Sequence, residues 1–226
     1  MARKQNKGNS PKKGNFSIYI LVDGECEQDY LNSIRNEEPY SSIISCHKIK
    51  IAPDIPKTKS LEAQYENVSE ALNHYDKVIW IVDYDVIRQQ SAQQQAGSPK
   101  SFEKFLTLSN KFKKLVDLKK YSDKEVFVLI NNPSIEFWYL LHFEKTSRFY
   151  PTSEAVEKKL LSHFNEYTKK DKKFRSSVFS LLKENLNKAI EHACVLEENE
   201  KDIQARADIY KIFLNDLAML RPKSST

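Results

Sequence analysis

Up to about residue 143 short dense apolar runs alternate with segments whose apolar residues are spaced as helix faces, and beyond Pro151 only the spaced pattern remains. Phe16 to Asp23 is an almost unbroken apolar, β-branched stretch, the pattern of a strand buried on both faces. Gly24 turns the chain, and Glu27 to Asn36 predicts a short helix with Tyr30, Leu31 and Ile34 inward. Ile43 to Ile51 predicts a second strand, closed by a Pro53 to Pro56 loop. Ser60 can cap a helix to about Asn73, with Leu61, Tyr65, Val68 and Leu72 on one face. Lys77 to Asp83 is a third strand. Phe102 to about Lys119 is a helix, Glu125 to Ile130 a fourth strand, and Ser134 to about Phe143 a helix with Pro133 suited to its first turn. Beyond Pro151 the pattern is helical, over about 153–167, 176–198 and 205–220.

Strands alternating with helices predict a Rossmann-like α/β fold: a mostly parallel four-stranded sheet with helices on both faces. The chain divides into a basic tail (1–14), the α/β domain (15–150) and a helical extension packed on it (151–226). At 40% hydrophobic and 30% charged residues, the composition is that of a globular protein. The formal charge of +5 equals that of the tail alone (Arg3, Lys4, Lys7, Lys12, Lys13, no acid), so the remainder is neutral and composition by itself does not mark a nucleic-acid binder. The tail lacks the apolar stretch of a secretory signal, and no apolar run reaches membrane-spanning length. Cys26, Cys46 and Cys194 are scattered and odd in number, which argues for a reducing cytoplasm and against a zinc ribbon. The polar, Gln-rich stretch from Arg88 to Lys100 reads as a mobile loop at the mouth of any site near Asp85.

In open parallel sheets, ligands sit at the carboxyl ends of the strands. The residues with chemical potential lie there: Asp23, Glu25 and Glu27 after strand one, Asp83 and Asp85 after strand three, Asn131, Asn132 and Glu136 after strand four. If the third strand persists, Asp83 and Asp85 point to one face. Acids crowded without a base repel one another, and a hard, oxygen-seeking cation such as Mg²⁺ or Mn²⁺ relieves that repulsion. A lone acid at a strand end would be a solvated loop residue; two clusters at one rim favour a metal site.

Three segments resemble the RloB family: Val22-Asp-Gly-Glu-Cys-Glu27 followed by Tyr30, then Asp83-Tyr-Asp85, then Asn132-Pro-Ser-Ile-Glu-Phe-Trp-Tyr-Leu-Leu-His-Phe143. The last is the most specific, and the match covers about residues 16 to 150. The resemblance implies a Toprim-like fold, a place in bacterial phage-defence and restriction-linked loci, and metal-dependent phosphodiester chemistry in the cytoplasm. It also implies an ABC/SMC-like ATPase partner of the RloA type. Asp83 and Asp85 would hold Mg²⁺, Asp23 would share the ion or assist proton transfer, and Glu27 and Glu136 would orient water or a second ion. This sequence departs from the family pattern in having Asp23 where Glu is usual, one methylene shorter, and Cys26 where Thr is usual.

Outside the rim, His142 is a packed histidine by default and a candidate acid–base residue by the general habit of imidazole. Lys169, Lys170, Lys172, Lys173 and Arg175 form the densest basic run beyond the tail and are candidate phosphate contacts for DNA or RNA, tRNA included. There is no GxxxxGK[ST] loop, so the chain does not read as a P-loop nucleotide hydrolase. The expectation is a Mg²⁺-dependent nuclease or nuclease subunit. The alternative is a non-catalytic sensor or assembly module serving the ATPase.

Overall fold

The structure is a computed structural model that describes residues 16–45, 47–53, 60–85, 87, 101–197, 205–215 and 217–222. Strands β1 (Ser17–Val22), β2 (Lys48–Pro53), β3 (Lys77–Asp83) and β4 (Glu125–Asn132) lie parallel. A short β5 (Arg206–Ala207) runs antiparallel beside β4, and the sheet order is β2-β1-β3-β4-β5. This mixed, mostly parallel sheet with flanking helices is an α/β fold consistent with Rossmann-like and Toprim-like architecture. The chain steps from β1 to β2 on one side and returns to β3 on the other. The crevice where such an order reverses, between the carboxyl ends of β1 and β3, is where open sheets bind ligands.

Strict alternation along the strands divides the core in two. Tyr19 and Leu21 of β1 and Val78, Trp80 and Val82 of β3 pack under α3 (Leu61–Ala71) and α4 (Ser101–Lys113). Ser60 caps α3 as its spacing predicts, its Oγ accepting from the Ala63 N–H at 3.3 Å. Ile18, Ile20, Val22, Ile79, Ile81 and Leu129 face the other way, against α1 (Glu25–Ile34) and α5 (Ile135–Leu141). Over that face lie α2 (Tyr40–Ile44), α6 (Ser153–Leu160), α7 (Lys172–Arg175), α8 (Val178–Leu182) and α9 (Leu186–Glu197). All seven residues of α5 are buried. A helix with no solvent face needs cover on every side, and the region after residue 151 supplies much of it. Among the described residues no helix is long and apolar enough to cross a membrane.

Four features differ from the pattern reading. The stretch read as strand from Ile43 divides, because Ile44 is buried at the end of α2 while the strand begins at Lys48. The helix read to Lys119 ends at Lys113 and continues as 3₁₀ turns, and the helices read over 153–167 and 176–198 are each shorter or interrupted. The region read as a helix from Ala205 holds β5 and 3₁₀ turns at Asp208–Phe213 and Ala218–Leu220, making the sheet five-stranded. Asp208 fixes that departure by accepting the Ile130 N–H at 3.1 Å, which docks the segment on the edge of β4. Finally, Pro133 precedes the Ser134 cap of α5 instead of opening its first turn. The basic tail and the Gln-rich loop from Arg88 to Lys100 lie outside the described residues.

Candidate functional site

Three carboxylates are buried at the carboxyl ends of the strands: Asp83 at the last position of β3, Glu27 in the first turn of α1 and Glu136 in the first turn of α5. Glu27 is placed by the turn after β1. Gly24 caps α1, and Glu27 Oε2 reaches back to accept the Gly24 N–H at 3.0 Å. A β-carbon at position 24 would stand 3.3 Å from that oxygen, so the glycine lets the carboxylate close on the turn. Asp83 pairs in register with Asn131 of β4, whose Nδ2 donates to Asp83 Oδ1 at 3.3 Å. The Asp85 N–H donates to the Pro133 carbonyl at 3.1 Å, tying the ends of β3 and β4 together. The strand does not persist through Asp85: residues 84 and 85 turn helical, and Asp85 is half-buried where Asp83 is buried. Glu136 is held at both oxygens, Oε2 accepting from Ser134 Oγ at 2.6 Å and Oε1 from the Tyr167 hydroxyl at 2.9 Å. Ser134 thus spends its hydroxyl on the acid and makes no side-chain cap to α5, the usual task of a serine in that place.

Burial first, and then the Glu136 charge, push the Glu27 carboxyl up from 4.5 to about 7, against the pull of its hydrogen bonds to backbone and to Asp83. Burial and the charges of Glu27, Asp23, Asp85 and Glu136 raise Asp83 well above the usual carboxylate range. Burial is the first cause at both, so Glu27 and Asp83 each hold a proton more tightly than a solvated carboxyl does. Burial, followed by Glu27 and Glu136, also raises the Cys26 thiol strongly, so it stays protonated and is no nucleophile.

The donor set suits a hard divalent cation. It is all oxygen, it is crowded enough to hold protons it would otherwise lose, and beside it the buried Asn131 Oδ1 has no hydrogen-bond partner among the described residues. Among those residues no three His, Cys, Asp or Glu side chains form a ready cage. An ion here would rest on one or two carboxylates and on water, as Mg²⁺ commonly does.

Of the residues singled out from sequence, Asp23, Glu27, Asp83, Asp85 and Glu136 act on one another electrostatically. Glu25 turns away to Arg175. His142 is not brought to this group: it is buried edge-on to Trp138, its Nδ1 is 3.0 Å from the Trp138 carbonyl, and burial lowers it to about 4. It is therefore neutral near pH 7, and none of the acids lies among the charges that shift it. Arg175 is committed to Asp29 and Glu25, at 2.8 and 2.9 Å. Lys169 bonds Glu157 at 2.8 Å and stands 3.8 Å from Glu136, while Lys170, Lys172 and Lys173 are exposed just beyond it. Tyr167 was not visible as a site residue in the sequence. It ends a stretch that reads as helix, and nothing in its spacing marks a contact 31 residues back to Glu136.

A family profile described as RloB-like protein matches residues 18–215. Neither a curated protein nor a solved structure matches the chain.

Proposed function

The chain belongs to the RloB-like protein family, and on that premise we propose that it is a Mg²⁺- or Mn²⁺-dependent nuclease of bacterial anti-phage defence. The observation that carries this reading is the burial of Glu27, Asp83 and Glu136 together at the carboxyl ends of the strands. Carboxylates buried in such a group suit a divalent cation that arrives with substrate. When bound, the ion would activate water and neutralise charge on the scissile phosphate. Asp83 and Asp85, with Asp23, would hold it. Glu27 and Glu136 accept hydrogen bonds from water and fix its direction. Lys170, Lys172 and Lys173, exposed next in the chain to Lys169, which stands 3.8 Å from Glu136, would carry phosphate contacts for DNA or RNA, tRNA included. The chain has no nucleotide-binding loop with which to gate itself, so an ABC/SMC-like ATPase of the RloA type supplies the switch.

The test is to incubate the purified chain, alone and with that ATPase, with DNA and with total RNA in Mg²⁺, Mn²⁺ or EDTA. Metal-dependent cleavage is expected, stronger with the partner, and Asp83→Asn with Asp85→Asn should abolish both cleavage and metal-induced thermal stabilisation. An equal metal response in wild type and double variant would remove the site.

A second reading, a non-catalytic sensor or assembly module, is favoured by Asp23, shorter than the family's usual glutamate. If Asp23 reaches the ion through water, Asp23→Glu keeps or raises cleavage and Asp23→Ala removes it while the fold stands. The residue is on the rim, where substitutions shift stability by roughly 0.5 kcal/mol or less. Phage protection by Asp23→Ala equal to wild type would put the sensor reading first.

A further inference from the structure

We infer that Tyr167 is a positioning residue for Glu136, delivered by a strap, residues 167–175, that crosses from α5 to α1. This deepens the metal-dependent reading above and rests on it. The ring of Tyr167 packs among Tyr139, Phe164 and Phe174, a setting that phenylalanine would fill as well. What tyrosine adds is the hydroxyl, which is buried and donates to Glu136 Oε1 at 2.9 Å. With Ser134 donating to the other oxygen at 2.6 Å, the carboxylate is held against rotation from opposite sides.

The strap carrying that hydroxyl is framed by polar ties. Arg175 donates from Nε to Asp29 at 2.8 Å and from Nη2 to Glu25 at 2.9 Å, both on α1. Its Nη1 donates to the Lys169 carbonyl at 2.8 Å, closing the segment on itself. Asp171 caps α7, its Oδ1 accepting from the Lys173 N–H at 2.9 Å, and Lys169 is fastened to Glu157 on α6 at 2.8 Å. The strap that carries the Tyr167 hydroxyl is therefore fastened to both α1 and α6. Partners of this kind, one step removed from an ion, orient the groups that touch it or its water.

The experiment is a Mn²⁺ titration of the full chain, followed by the electron paramagnetic resonance of the free ion, on wild type, Tyr167→Phe, Glu136→Gln and the double variant, with steady-state cleavage alongside. Each single variant should weaken Mn²⁺ binding about tenfold, and the double variant should be no weaker than Glu136→Gln. Cleavage by Tyr167→Phe should lose kcat with KM for nucleic acid unchanged. A packing role for Tyr167 would give neither the shared loss nor the split. Unchanged Mn²⁺ affinity in Tyr167→Phe, or losses that multiply in the double variant, would overturn the inference and leave the metal site standing. Wild type that binds no Mn²⁺ would overturn both.

Discussion

A carboxyl buried against other carboxyls gives up its proton late, and Glu27 is in that position. Burial first and then Glu136 push its carboxyl up from the ordinary 4.5 to about 7. A folded pKa above the unfolded one means that folding takes up a proton. The associated stability is complete below the unfolded value and is lost as pH rises through the folded one. Asp83 is shifted in the same direction, so the two reinforce each other. In EDTA the melting temperature should fall between about pH 5 and about pH 8, and Mg²⁺ at the upper end should restore it by replacing the proton. Glu27→Gln, which cannot ionise, should flatten the fall and blunt the response to Mg²⁺. A metal-free profile equally flat in wild type would contradict the crowding on which the site rests. His142 stands apart: held neutral by burial, it offers no proton near pH 7, and its loss should register as stability instead of as a pH effect on cleavage.

Among the elements, the strap over 167–175 depends most on one residue. Arg175 is largely buried, and its removal leaves Asp29, itself mostly covered, without its charged partner. Arg175→Ala should cost about 1–3 kcal/mol in urea unfolding. Arg175→Lys should restore only part of this, since an ammonium cannot serve Asp29, Glu25 and the Lys169 carbonyl with one planar fork. Full stability in the alanine variant would show that the strap is held by its aromatic packing alone. Elements of this kind are the ones that pattern reading misses. The β3 reading agrees with the structure residue for residue because Lys77 to Asp83 is buried on both faces and bounded by polar residues. β2 was half legible, since Ile43 and Ile44 prolong its apolar run although they belong to α2. β5 has two residues, too few for any alternation, and is selected by Asp208 docking on β4. The site divides the same way. Its acids stand at strand ends where topology alone gathers them, whereas Tyr167 comes to Glu136 through tertiary packing that leaves no local signature.

At the scale of the whole molecule, the two faces of the sheet are covered from different parts of the chain. One is closed by α3 and α4, which belong to the strand–helix alternation. On the other, Ile20, Ile81 and the buried α5 share a core with Val156, Leu160, Val178, Phe179, Ile209, Ile212 and Phe213, all contributed after residue 151. Phe213 stacks on Trp138 and on Phe179, with ring centroids 5.8 Å apart in both pairs. At the amino ends of the strands, buried Lys77 donates to the Arg221 carbonyl at 2.7 Å and pairs with Glu125 at 3.1 Å, so the last described turn is fastened to β3 as well. Each large apolar side chain taken from water stabilises by about 1.5–3 kcal/mol, so losing even five of these partners matches the whole net stability of a typical domain, about 5–15 kcal/mol. The 15–150 unit that the sequence suggests as a domain should therefore not stand alone. A fragment ending at residue 150 should melt without a sharp transition and bind a hydrophobic dye, as collapsed states with loosened packing do, while the full chain melts cooperatively. A soluble fragment with a sharp melt would show that the far face needs no cover. If the fragment fails as expected, the carboxylates cannot be separated from the region that bears Tyr167: the same segments that close the core also carry the strap to Glu136, so the site is complete only when the whole chain has folded.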